Sequence, residues 1–423
     1  MPKRVVVDFQ VPKKTLILAF INIFFYFFGF FSVKAMLPLI IDDRLRVSSY
    51  IILFIFSLRY ISCAVYDSFI SDITKKLSLR VSISVGIISL LVVFLGLYNA
   101  AEIFPFMILF IVLGISSGIN ELTFLNKSQS LGIKGIQTYY GAFFAGTFFA
   151  FFLSGFILEL TSVNVLFIIS SIALLIPLII ILITSRPHEL KKVKLISILS
   201  HKNFVKIEID VFSRLKDNMV FMFLVKLVAE GFNSMKEVLV PLIVINSLNG
   251  STFEVSLVLG LTILPTLLIE RNLDFILKHM PPIFLLPGPK RRVLGLSLFL
   301  MAASSILIIF AKNTLFLGIL IAIAMIAFSM INPVLNLFIL KFHNEDYEKE
   351  NALLHISSQV GKWAVLVFAA IFTYFFDNLA LVFVIPGVIF FLLFLFFSYD
   401  CIFSRKLWVQ KDELNKNKKS RKC

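Results

Sequence analysis

Apolar residues in this chain come in long blocks separated by short polar connections. Runs of about 18 or more predominantly apolar residues recur from Thr15 to Tyr399. As a helix such a run spans ~27 Å, close to the hydrocarbon thickness of a bilayer. Twelve of them are predicted as transmembrane helices: 15–41, 50–67, 81–99, 104–125, 138–158, 164–185, 218–246, 253–270, 293–311, 314–340, 352–376 and 379–399. The first run is too long, and too lacking in a small-residue cleavage site, to read as a cleaved signal peptide.

The connections organise the runs. The longest, 185–218, is basic and follows the sixth run, which predicts four segments. These are a six-helix bundle over 1–185, a cytoplasmic loop over 186–217, a second six-helix bundle over 218–400 and a basic tail over 401–423. Between the eighth and ninth runs, 271–292 carries four prolines, which prevent a continuous helix there.

Composition agrees with the pattern. The chain has 423 residues, 59% hydrophobic and only 15% charged, with mean hydropathy +0.96. Soluble domains carry about a quarter charged residues, so a polytopic all-α membrane protein is expected. The net charge of +15 raises nucleic acid as a partner, but its placement answers differently. With the N-terminus inside, the cytoplasmic segments hold 32 of the 40 Lys and Arg, and the external loops hold only Arg44, Arg46 and Lys312. That asymmetry predicts a multi-pass plasma-membrane protein with both termini cytoplasmic. The basic tail then reads as a topology anchor touching anionic lipid, not as a nucleic-acid module. Its KDEL is internal, so it is no retention signal. Cys63, Cys401 and Cys423 show no metal spacing and imply no disulfide framework. Neither metal nor cofactor is expected.

Two internal echoes point to duplication. GFFSVKAMLPLI (29–40) in the first run matches GFNSMKEVLVPLI (231–243) in the seventh, setting Lys34 against Lys236 at an offset of 202. GINELTFLNK (118–127) matches MINPVLNLFILK (330–341) in the tenth run at an offset of 212. Each match falls in the corresponding span of its half, the sign of a duplicated six-helix unit of the kind that underlies many secondary transporters.

With these features the chain resembles the major facilitator superfamily. The resemblance rests on twelve spans in a 6+6 arrangement, a long basic central loop and a partial local motif in DSFISDITKKLSLR (67–80). Asp72 and the basic Lys75, Lys76 and Arg80 fit the family's loop after span 2, while Ser68 and Ile73 depart from it. The resemblance implies two pseudo-symmetric six-helix bundles and transport by alternating access. It also implies a cytoplasmic gate in which Asp72, with Lys75 and Lys76, latches one conformer. The glycine-rich fifth run, GAFFAGTFFAFFLSG (141–155), resembles the antiporter motif of drug exporters but lacks its Gly-Pro pair, so it reads as helix packing.

Away from the span ends, eight charges lie inside the spans: Lys34, Arg59, Lys226, Lys236 and Lys362, with Glu121, Glu230 and Glu237. Charge at that depth is costly and usually faces a bundle interior or an aqueous cavity. Lys226 and Glu230, four apart, can pair along one helix face. Lys34, Lys236 and Lys362 are candidate substrate ligands, with Arg59, Gln359, Trp363 and Asn233 beside them. Glu121, Glu230 and Glu237 are the candidate proton carriers. Two alternatives stay open at this stage: a Lys34–Glu237 bridge closing the external side, and an Arg59–Glu121 bridge. The net charge of +2 over these eight residues calls for something negative to complete it, either an anionic substrate or, as the open alternative, lipid headgroups or the edge acids Asp67 and Glu270.

The expected function is therefore secondary active transport of a small solute, an organic anion, coupled to protons, by a monomer. Efflux of drugs or hydrophobic compounds is the alternative on the same fold, and a transporter-like receptor is a further one. A membrane enzyme is disfavoured, since the five histidines are scattered with no metal-ligand or Ser/His/Asp grouping. No phosphate-cradling glycine loop is visible, which argues against an ATP-driven pump.

Overall fold

A computed structural model describes the backbone of 12–76, 79–184, 217–266, 289–342, 347–376 and 378–403, with isolated residues between 268 and 279. Side chains over 67–79, 217–219, 336–356 and 400–403 lie outside that description. So do the central loop and the tail.

In chain order the long helices are α1 (Lys13–Leu45), α2 (Ser49–Lys76), α3 (Leu79–Asn99), α4 (Ile103–Ser130), α5 (Gly132–Leu160) and α6 (Val163–Thr184). The second half supplies α7 (Asp217–Leu242), α8 (Thr252–Leu261), α9 (Pro289–Leu307), α10 (Thr314–Phe342), α11 (Tyr347–Phe375) and α12 (Val384–Phe403). Among the described residues, ten of the helical stretches are long and apolar enough to cross a membrane. The two others are α7, which carries four of the intramembrane charges, and the shorter apolar stretch Thr252–Thr266. Over the described residues, each of the twelve predicted spans thus falls largely on helix.

The boundaries follow local chemistry. At the start of α8 a capping box closes: the Glu254 amide donates to Ser251 Oγ at 3.3 Å, and the Ser251 amide donates to Glu254 Oε2 at 2.9 Å. α9 begins on Pro289, whose missing N–H costs nothing in the first turn. Past Pro241, α7 widens into a π-turn over Ile243–Ser247, which absorbs the proline without ending the helix. One expectation is corrected here. The stretch after span 2 is not a loop from 67: α2 runs on through Lys76, since no Gly or Pro interrupts it. Asp72, Lys75 and Lys76 therefore sit on its last turns, and their side chains lie outside the described residues.

Within the first half, α1 packs on α5 and α6, and α4 packs on α2 and α3; within the second, α9 packs on α10 and α12, and α7 on α11. The halves meet where α2 crosses α11 and α5 crosses α8. Because α2 corresponds to α8 and α5 to α11 in a six-helix repeat, one exchange of halves maps each crossing onto the other. Large apolar side chains such as Leu95, Leu160, Ile183 and Phe375 are 65–78% exposed, as expected of surfaces meeting lipid rather than water.

Candidate functional site

The centre of the molecule is built around one carboxylate and one aromatic ring. Glu237 on α7 reaches across to the first bundle, where Lys34 Nζ of α1 lies 2.6 Å from its Oε2. The same oxygen accepts a hydrogen bond from the Tyr60 hydroxyl of α2 at 3.1 Å. Three helices from both halves thus converge on one oxygen, with the Lys34 and Glu237 side chains only 7% and 14% exposed.

Beside Tyr60, Arg59 is held by rings. Its guanidinium carbon lies 5.1 Å from the Phe30 centroid and 4.9 Å from that of Tyr60, within cation–π range of both. Arg59 Nη2 is 3.4 Å from Ser117 Oγ and 3.8 Å from Glu121 Oε1, both on α4. Its Nε and Nη1 are buried and have no hydrogen-bond partner. Glu121 is the most open of the three acids, its side chain 29% exposed.

The second half contributes a triad. Glu230 of α7 binds Lys226 at 2.9 Å along its own helix and Lys362 of α11 at 3.3 Å. Lys362 Nζ is also 5.8 Å from the Tyr60 centroid, and Lys34 Nζ is 6.0 Å from it. Lys34, Arg59 and Lys362, from α1, α2 and α11, therefore surround a single ring. Tyr60 is the residue that sequence reasoning passes over; its only signal is a phenol next to an arginine in mid-span. Close glycine contacts make the α11 approach possible, since Gly361 lies against the Leu227 backbone and Gly231 against Val365. Ser234 Oγ adds a hydrogen bond to the Lys362 carbonyl at 3.3 Å.

Lys236 does not join this group, although it is the repeat partner of Lys34. Its Nζ points into the second bundle, 3.3 Å from Thr262 Oγ1 and 3.6 Å from Met325 Sδ, and the residue is 1% exposed. Among the described residues it has no ion-pair partner. Gln359 is buried and Trp363 half-buried on α11, one turn and one residue from Lys362 respectively, and Asn233 is half-buried on α7. No grouping of His, Cys, Asp and Glu suited to a metal occurs among the described residues.

Above the cluster, on the side of the molecule opposite the start of α1 and the end of α12, the halves are fastened. Asn246 Nδ2 donates to Asp42 Oδ2 at 3.0 Å, and Thr252 Oγ1 donates to Glu159 Oε2 at 2.7 Å. The Gly155 amide donates to Ser256 Oγ at 2.6 Å, where a side chain at 155 would collide with α8. Tyr50 and Tyr374 meet edge to face at 5.3 Å. Every one of these contacts joins one half to the other, beside a recess of about 640 Å³ lined by Asp42, Asp43, Arg46, Ser48, Ile245 and Thr252.

No family model matches the chain, and no curated protein matches it in sequence. Solved structures do. The nucleoside transporter NupG superposes with a TM-score of 0.70 over 91% of this chain and 98% of that one, at 13% identity. A point variant of that transporter gives 0.72 over 91% and 99%, at 12% identity. A D-xylose-proton symporter gives 0.64 over 89% and 96%, also at 12%. The chain thus has the major facilitator fold: a multi-pass membrane protein of two six-helix halves.

Proposed function

We propose that this protein is a proton-coupled secondary transporter that moves a small organic anion by alternating access around Tyr60. The observation that carries the reading is the convergence of Lys34, Arg59 and Lys362 on that one ring, between the halves. Among the described residues these cations and Lys226 face Glu121, Glu230 and Glu237, and a surplus of buried positive charge favours an anion to complete it. Solved neighbours named for a nucleoside and for xylose with a proton support small polar cargo and proton coupling as classes; the surplus charge supports an anion in this chain.

The three acids differ in how tightly they are held. Glu230 is shared by two lysines, and Glu237 is bound by Lys34 and Tyr60. Glu121 has a single long contact at 3.8 Å and the greatest exposure. Glu121 is accordingly the proton carrier in our reading, and Glu237 the gate. The fastened side is the extracellular one if the basic segments face the cytoplasm. The Asp72, Lys75 and Lys76 latch completes the proposal on the cytoplasmic side.

Uptake into proteoliposomes under an imposed pH gradient tests it, screened against organic anions, sugars, nucleosides and cationic dyes. Anion uptake that rises with the gradient and collapses in Lys362→Ala is the expected result. Transport of cationic dyes by a protein indifferent to changes at Lys34, Arg59 and Lys362 would overturn it and favour efflux of hydrophobic compounds.

A further inference from the structure

The cations around Tyr60 are not equally satisfied, and the difference describes the missing ligand. Lys34 is matched by Glu237 at 2.6 Å, one charge against one. Lys362 lies 3.3 Å from Glu230, which Lys226 also contacts, and keeps a side-chain exposure of 19%. Arg59 is further from balance. A guanidinium has five N–H donors in one plane, and here Phe30 and Tyr60 flank it while both contacts in reach fall on Nη2. Nε and Nη1 are left without acceptors in a residue 5% exposed. Buried donors without acceptors are costly to keep. Their presence on an arginine, the side chain suited to planar two-point binding of carboxylates, marks a binding position.

We infer that the substrate is a small dicarboxylate, one carboxylate gripped by Arg59 of the first half and the other by Lys362 of the second, with Tyr60 between them. This rests on the anion-transporter reading and narrows it. Both cations flank one ring, 4.9 and 5.8 Å from its centroid, so a short molecule reaches both. A monoanion satisfies one and leaves the other unchanged. A phosphate monoester carries comparable charge but at a single end. A proton carried in on Glu121 travels with the ligand. That proton sits among Arg59 and Tyr60 of α2, Tyr26 of α1, Tyr139 of α5 and Lys362 of α11, the charged and titratable groups that act on Glu121. Protonation breaks the long Arg59–Glu121 contact and frees Nη2 for the ligand. Because each half holds one end, binding draws the halves together, the coupling that alternating access needs.

The test compares short straight-chain dicarboxylates with monocarboxylates of equal carbon number and with glycerol phosphate, in proteoliposome uptake and in thermal-shift binding to the purified full chain. The wild type should prefer the dicarboxylate over both by roughly 10- to 100-fold, the worth of one charge-assisted contact. Lys362→Met should abolish the preference by weakening the dicarboxylate to the level of the monocarboxylate, while Arg59→Lys should weaken both. Thermal shifts report binding even where a variant transports poorly, and unliganded melting identifies any variant that does not fold. Equal handling of mono- and dicarboxylates by the wild type, or a preference that survives Lys362→Met, overturns the two-ended site and leaves anion transport standing. Preference for glycerol phosphate overturns it in favour of a one-ended dianion site. Uptake of sugars or nucleosides with no anion moved sinks the broader reading, and this inference with it.

Discussion

Replacing Glu237 by Gln removes the acceptor that holds α1 and α2 to α7. The substitution keeps the shape, so packing is preserved, but it leaves Lys34 7% exposed and without its counter-charge. Stranding one member of a buried ion pair costs about 3–5 kcal/mol, and Tyr60 loses its 3.1 Å contact as well. That cost applies only while the halves are closed, because Lys34 regains water when they part. Even the lower figure, about 3 kcal/mol, shifts the balance between closed and open forms by roughly 100-fold toward opening on this side. Spin labels at Ser48→Cys and Ser247→Cys, exposed positions on the α1–α2 connection and on the π-turn after α7, report the separation. The native Cys63, Cys401 and Cys423 must first be replaced. The expected result is a longer, newly populated distance in Glu237→Gln, reversed when Lys34→Met is added, since the double variant buries no unpaired charge. A folded Glu237→Gln protein with an unchanged distance distribution would show that the bridge does not hold the closed form, and the reasoning would fail.

Glu121→Gln should abolish uptake driven by a pH gradient while sparing anion exchange at equal pH, measured as counterflow in proteoliposomes; loss of both would remove Glu121 from the coupling role. Gly155→Val should prevent closure where α5 meets α8, because the added atoms collide with Ser256 and the Thr252 carbonyl. Labels across the fastened side should then read open while the melting temperature changes little. Lys236→Met should stabilise the purified protein by about 1–3 kcal/mol, because it removes a buried ammonium whose neighbours are a hydroxyl and a thioether; a lower melting temperature would contradict this. Tyr60→Phe keeps the ring but loses the bond to Glu237, and should open the gate less than Glu237→Gln does in the same spin-label assay.

Hydropathy made the helices legible, since a bilayer demands long apolar stretches and little else satisfies it. α7 is the instructive case: its four charges take it out of the purely apolar class, yet pairing them lets it lie in the core. The Lys226–Glu230 pair was readable because four residues make one helical turn. Lys34–Glu237 and Arg59–Glu121 were readable only as alternatives, because they join different helices and depend on how each helix is rotated. The second partner of Glu230, Lys362, and the place of Tyr60 at the centre were not readable, since nothing local links positions 60, 237 and 362. The Lys34–Lys236 echo was real in sequence and asymmetric in space. Glu237 turns to Lys34, while Thr262 and Met325, which the repeat does not specify, receive Lys236.

The central claim is that anion and proton move together through the Tyr60 cluster. The most direct measurement is luminal pH in proteoliposomes, followed by a trapped indicator, after a dicarboxylate is added outside with no gradient imposed. The account predicts luminal acidification in the wild type and none in Lys362→Met or Glu121→Gln. Dicarboxylate entry without any pH change, or acidification that persists in both variants, would contradict it.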